Sequence, residues 1–309
     1  MNNELSKYIL TTLTYYDVMD YPLTSFEIWK YLTKISEQGS ASKDKFSLED
    51  VFKELGNEKL QKFIEEYRGY YFLKGRKNLV DQRIARNKIA EQKFRIVRSV
   101  AWWLRFVPYV RMVAVTGRLA MKNTERKSDL DLLVVLQAGK IFTGRTFTTL
   151  MVHMLGKRRY GKKITNRICL NYFITTKSLE INLKDAFSAS EYSFMVPIWG
   201  RQTFKKFQME NSWITKYKIN YQIDEILNLK LLEDNFLTKI IRKTGEKIFS
   251  ADFIEQCLKR WQVPRILMDP RTHQKGSMII ADEEALVFLP DPQSPKVFER
   301  FQERLAELK

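Results

Sequence analysis

Two aspartates one residue apart, Asp129 and Asp131, stand at the head of the apolar run Leu130 to Leu136. Side chains alternate along an extended strand, so both carboxylates project on one side of it. Such a pair suits Mg2+ or Mn2+, and ions held there would bridge the oxygens of a triphosphate. Upstream, the run Val110 to Val115 stops at Thr116-Gly117. A tight turn at Gly117 would let backbone N–H groups approach a phosphate, with the Thr116 and Ser128 hydroxyls as further partners. A bare Asp-x-Asp often does no more than cap a strand and face solvent. Here the apolar flanks, the upstream glycine and the interval Leu119 to Ser128 agree, which favours the chemical reading.

Three strands have to position these groups. The spacing predicts them over Val110 to Val115, Leu130 to Leu136 and Ile168 to Ile174. Between the second and third, Gly139 breaks the chain, Phe142 to Leu155 reads as a helix and the basic stretch Gly156 to Arg167 reads as a loop. Ser190 to Lys206 and Trp213 to Leu231 read as helices packed over the sheet. Further helices are expected over Phe236 to Phe249 and Phe253 to Trp261, and short strands within Ser277 to Leu289. Ser294-Pro295 caps and opens a last helix. Pro264 to Lys275, with Pro264, Pro270 and several charges, reads as a mobile loop.

The first 75 residues read as a helical unit ending in a strand. Leu5, Tyr8, Ile9, Leu13 and Tyr16 recur at helical spacing, and Asp20-Tyr21-Pro22 stops that helix. Thr24 with Glu27, and Ser47 with Asp50, are capping-box pairs that open two more helices, separated by the polar loop Ser36 to Lys45. A fourth helix is expected over Glu58 to Tyr67, followed by the aromatic strand between Gly69 and Gly75. This order resembles a winged helix-turn-helix domain. The resemblance implies that the helix at Ser47 enters a DNA groove, with Lys43, Lys45 and Lys53 near phosphates. Glu49, Asp50 and Glu54 on the same helix oppose phosphate, so a structural or protein-binding role is the alternative. From Lys77 to Phe106 a long connecting helix follows. Its Arg83, Arg86, Lys88, Lys93, Arg95 and Arg98 read as a solvated basic face, and Trp102 and Trp103 as the entry to a packed core.

The chain has 309 residues, enough for two or three folding units, and a formal net charge of +17. That charge favours a polyanionic partner: nucleic acid, a nucleoside triphosphate, an acidic protein or an anionic membrane surface. No apolar run is long enough to span a bilayer, and the N-terminus does not open a signal peptide, so a cytoplasmic location is expected. Cys169 and Cys257 lack metal-site spacing and only two histidines are present, which argues against structural zinc. Both cysteines are expected as small core hydrophobes.

The pattern of strand, Gly117, loop and Asp129-Leu130-Asp131 resembles the nucleotidyltransferase superfamily of polymerase-β-like enzymes. The stretch Tyr16-Asp17-Val18-Met19-Asp20-Tyr21-Pro22-Leu23-Thr24 extends the likeness to a group of bacterial proteins that join a winged helix to such a domain. The resemblance implies an α+β chain in four parts. These are a winged-helix-like domain over 1–76, a connecting helix over 77–108, and a nucleotidyltransferase-like domain with a mixed sheet and flanking helices over 109–232. A helical C-terminal region with a short β element occupies 233–309. It also implies transfer of a nucleoside monophosphate from an NTP to a hydroxyl acceptor, with Asp129 and Asp131 on the metal and Thr116, Gly117, Arg118 and Ser128 on phosphate. Two residues depart from the superfamily's pattern. Arg118 stands where serine or glycine is usual, and Asn171 stands where a third carboxylate would accept the attacking hydroxyl's proton. Glu180, Asp185 and Glu191 are candidate replacements. The alternative expectation is a catalytically degenerate nucleotide-binding or regulatory protein whose winged helix binds DNA or a protein.

Overall fold

The computed structural model describes residues 3–35, 45–223 and 231–308, and most of the polar loop expected after Leu32 lies outside them. Among the described residues the chain is mixed α+β with two sheets. Helix α1 (Asn3–Asp17) is followed by β1 (Leu23–Thr24), α2 (Ser25–Lys30), α3 (Leu48–Leu55) and the single turn α4 (Glu58–Gln61). Both expected capping boxes are present: Thr24 and Glu27 bond reciprocally at the start of α2, and Ser47 and Asp50 do so at α3. Strands β2 (Ile64–Tyr67) and β3 (Tyr70–Leu73) then form a hairpin, and a three-stranded antiparallel sheet results in the order β1-β3-β2.

The hairpin corrects the helix expected over Glu58 to Tyr67. Arg68 and Gly69 have φ of +54° and +77°, the left-handed pair that a two-residue turn requires to match strand twist. Ile64 therefore faces Leu73 across the ladder instead of continuing a helix.

Helix α5 (Asn78–Leu104) leads to the second sheet, which comprises β4 (Val110–Val115), β5 (Leu130–Leu136), β6 (Ile168–Thr175), β7 (Val196–Trp199), β8 (Met278–Ala281) and β9 (Ala285–Leu289). Its order is β7-β4-β5-β6-β9-β8. β4 and β5 are antiparallel, while β5 and β6 are parallel and joined by the crossover helix α7 (Ile141–Met154). The short α6 (Gly117–Ala120) lies between β4 and β5. After β6 come α8 (Ala186–Ser193), α9 (Arg201–Glu210), a 3-10 turn over Ser212–Lys216, α10 (Phe236–Ile248), α11 (Asp252–Leu267) and α12 (Ser294–Glu307).

Alternation along β4 and β5 divides the core in two. Val113, Val115, Leu132, Val134 and Leu136 pack with Val97, Ala101 and Leu104 of α5 and Phe142 and Val152 of α7. Met112, Ala114, Leu133 and Val135 pack on the other face with Ala189 and Tyr192 of α8 and Phe204 and Phe207 of α9. Asp129 and Asp131 share the parity of Leu133, so they belong to the face that α8 covers.

Several expected elements changed. Ser190 to Lys206 is interrupted by β7, which pairs with β4. Gly200, at φ +94°, begins α9 where an added Cβ would lie 2.3 Å from the Arg111 carbonyl oxygen. Trp213 to Leu231 begins with a short 3-10 segment and continues in turns with an isolated bridge at Lys218, with 224–230 outside the described residues. Pro264 lies inside α11, so the segment expected as a mobile loop is in large part ordered helix and 3-10 turn. Strands β8 and β9 join the main sheet through β6.

Helix α7 has no side-chain cap of its own. Glu255 of α11 supplies one, accepting Phe142 N at 2.8 Å and Thr143 N at 2.9 Å. Lys218 is fully buried and donates to Tyr16 Oη at 3.0 Å and Thr33 Oγ1 at 2.8 Å. Burial holds its amine well below the usual lysine range. Among the described residues, no helix is long and apolar enough to cross a membrane.

Candidate functional site

Asp129 and Asp131 lie at the start of β5, where the strand leaves the loop that α5 fixes from beneath. Three basic residues of α5 hold that loop. Arg83 is buried, donates to Glu27 at 2.6 Å and to the Met121 carbonyl at 3.1 Å, and stacks on Tyr21. Arg86 reaches Asn123 and Glu125, both at 3.1 Å. Lys93, 2% exposed, donates to the Ser128 carbonyl at 2.6 Å and to its hydroxyl at 2.9 Å. The basic face expected to be solvated is thus partly internal. Its donors satisfy loop carbonyls that a buried turn would otherwise orphan.

Across the parallel ladder, Asp131 faces Cys169, and the register then slips before Leu133 faces Tyr172. That bulge supplies an extra residue on β6. Asn171 Nδ2 donates to Asp131 Oδ1 at 3.2 Å, and the Cys169 thiol lies beside the same carboxyl. Asn171 Oδ1 is buried with no hydrogen-bond partner. Burial, then the neighbouring Asp129 charge, push the Asp131 carboxyl up to about 6. Burial and the same two carboxylates push the Cys169 thiol up to about 12, so it is a neutral donor rather than a thiolate.

A third carboxylate reaches the site from α8. Glu191 lies beside the Gly117 backbone N–H, which favours its charged form, but burial followed by the Asp131 charge push its carboxyl up to about 7. Of the three replacements considered from sequence, Glu180 pairs with Lys184 and Asp185 caps α8 through Ser188 N at 2.7 Å. Gly117 has φ +62°, and an added Cβ there would lie 3.2 Å from Asp131 Oδ2. The glycine is needed both for backbone conformation and for close approach of the turn to the acid.

The remaining residues singled out in the sequence are dispersed around this centre. The Thr116 backbone N–H donates to the Asp131 carbonyl at 3.2 Å, and its side chain does not cap α6. Arg118 is exposed and pairs with Glu125 at 3.5 Å. The Ser128 hydroxyl is engaged by Lys93, Thr124 and the Glu125 carbonyl.

Arg159, from the basic loop before β6, was not singled out by sequence. Its guanidinium meets Asp129 at 2.5 Å and Cys169 Sγ at 3.4 Å. Basic character in that loop was the available signal, but nothing in sequence marked which of its cations would fold over the aspartates. Cys169 is likewise a site residue and not the core hydrophobe expected, and Cys257 is exposed.

The donor set bears on the cation. One ligand atom each from Asp129, Asp131 and Cys169 lie within 4.8 Å of one another. The protonated thiol is a poor ligand for a hard ion, whereas the two carboxylates and the orphan Asn171 oxygen are the hard donors that Mg2+ or Mn2+ takes. The residues therefore fit such an ion, with Arg159 as the charge that balances Asp129 in its place. Compared with protein-family models, curated proteins and solved structures, the chain matches none.

Proposed function

We propose that this chain is a nucleotidyltransferase-like protein that takes a nucleoside triphosphate with Mg2+ or Mn2+ at Asp129 and Asp131 and transfers a nucleoside monophosphate to a hydroxyl acceptor. The observation that carries the reading is the approach of Asp131 and Glu191 to the Gly117 turn, with Asp129 beside Asp131. A divalent ion held by the two aspartates would neutralise the triphosphate and the developing charge on pyrophosphate. Asp129 and Asp131 act as its ligands, and Arg159 leaves Asp129 to meet a phosphate oxygen. Asn171 keeps Asp131 oriented through its amide. Glu191, with a carboxyl near neutrality, is the group suited to accept the acceptor hydroxyl's proton, the role that Asn171 cannot fill. The antiparallel β4–β5 pair followed by parallel β6 supports the same superfamily reading.

The test is incubation with each labelled NTP and Mg2+ or Mn2+, read as pyrophosphate release or self-labelling. Calorimetry would compare NTP binding by the native chain with that by Asp129→Ala/Asp131→Ala. Equal binding by the two proteins refutes the metal site.

One arrangement favours a second reading, a degenerate nucleotide-binding regulator. The Gly117 N–H that would receive phosphate already has the Glu191 carboxyl beside it, and Asp129 is already paired with Arg159. NTP binding without pyrophosphate release or labelling selects this alternative. In either case the N-terminal unit fits a winged helix, since its sheet order β1-β3-β2 ends in a hairpin. Its α3 favours a protein partner over DNA: Lys53 is paired with Glu49, and Phe52 is 64% exposed. DNA binding that weakens with rising salt would reverse that preference.

A further inference from the structure

Helix α10 has two unlike faces. One is docked. Thr238 is buried, Gly245 lies against Pro108, Glu246 accepts Tyr109 N at 3.1 Å, and Arg242 donates to the Arg105 carbonyl at 2.7 Å. Positions 238, 242, 245 and 246 fall on one side of a helix.

The other face carries Phe236, Leu237, Ile240, Ile241 and Ile248, which are 76, 63, 43, 50 and 65% exposed. Nothing among the described residues buries them. Five large apolar side chains on one exposed arc are not the scattered hydrophobes of an ordinary surface. Along one border of the arc run Lys239, Lys243 and Lys247, four residues apart and all exposed. Phe253, at the start of the next helix, is 76% exposed. Trp102 and Trp103, expected in a core, are 41 and 44% exposed at the end of α5, the helix whose Arg105 holds α10.

We infer that α10 is an interfacial helix that lies on an anionic lipid surface, its apolar arc in the headgroup and acyl boundary and its lysines against lipid phosphates and carboxylates. The charge pattern selects this occupant. A second copy would bring another lysine stripe and another +17 chain to the same face, whereas an anionic bilayer attracts both. Nucleic acid would satisfy the lysines and leave the arc in water. The helix has 13 residues, about 20 Å, which is too short to span a bilayer but sufficient to lie in its plane. Exposed indoles and phenyl rings are the side chains that favour this depth.

The test is co-sedimentation of the full chain with vesicles of phosphatidylcholine, alone or with phosphatidylserine at about a third of the lipid, in low and high salt. The expected result is binding to the serine-containing vesicles only, weakened by salt. Ile240→Glu/Ile241→Glu should reduce it at least tenfold, and Lys239→Glu/Lys243→Glu/Lys247→Glu by about a hundredfold. All five positions are exposed, so both variants should keep the native circular dichroism and melting temperature. Three results would overturn the inference: no binding to anionic vesicles, binding indifferent to Ile240→Glu/Ile241→Glu, or a dimer in sedimentation equilibrium that this variant dissociates.

Discussion

Asp131→Asn is expected to stabilise the protein in the absence of divalent cation. In the native chain the carboxyl rises from 3.8 to about 6 on folding, mainly through burial and then through Asp129. The folded state therefore holds a proton that the unfolded state has released, and stability falls as pH rises from about 4 through about 6. Above that window the ionised acid imposes a constant penalty. Two pKa units correspond to about 3 kcal/mol, and a weaker hydrogen bond from Asn171 to a neutral amide reduces the net gain to about 1 to 2 kcal/mol. Glu191, raised to about 7, leaves a second bend at higher pH. Because the two acids interact, that bend should move down when the Asp131 charge is removed. Urea unfolding from about pH 4 to about pH 8, with chelator present, measures both effects. If the variant is no more stable than the native chain at about pH 8, or the native curve is flat between pH 4 and 6, burial of Asp131 is not the source of the shift.

Three other substitutions test packing and capping. Gly200→Ala places a Cβ against the Arg111 backbone at a φ of +94°, and should cost about 3 kcal/mol or more in the same urea assay, or prevent folding. Glu255→Ala removes the cap supplied to α7 and should lower stability by about 1 to 2 kcal/mol, with faster amide exchange at Phe142 and Thr143. Lys218→Met should raise stability by about 1 to 3 kcal/mol near neutral pH. The native amine titrates below its unfolded value, so native stability should climb with pH up to the ordinary lysine range, and the variant should lose that climb.

Local signals in the sequence served well where neighbours in the chain decide structure. β4 and β5 begin and end at the residues that alternation and Gly117 indicate, and both N-terminal capping boxes form. What depended on distant partners was hidden. Arg83, Arg86 and Lys93 looked solvated because the loop that accepts their hydrogen bonds lies some 35 residues or more downstream. β7 looked helical because its four residues carry no alternation of their own and exist by pairing with β4. Glu191 was one acid among three until the sheet parity of Asp131 and the position of α8 brought it to Gly117. Arg159 reached Asp129 through the loop before β6, and Cys169 faced Asp131 through the parallel register, neither of which has a sequence signature.

Helix α8 is held from both ends by parts of the chain far from the acids. Tyr15 donates to its Ala186 carbonyl, Tyr16 to Ser190, and Ser294 of α12 to its cap Asp185. The residue after Ser190, Glu191, lies against the Gly117 turn. An eight-residue helix has little stability of its own, so its placement is lent by α1 and α12. Together with α12, the N-terminal unit thus sets where Glu191 stands, and on the proposed reading its removal should weaken nucleotide and metal binding without altering any residue at the acids. The linkage works in both directions: a partner that shifts α1 should change affinity at the acids, and occupation of the acids should change affinity for that partner by the same factor.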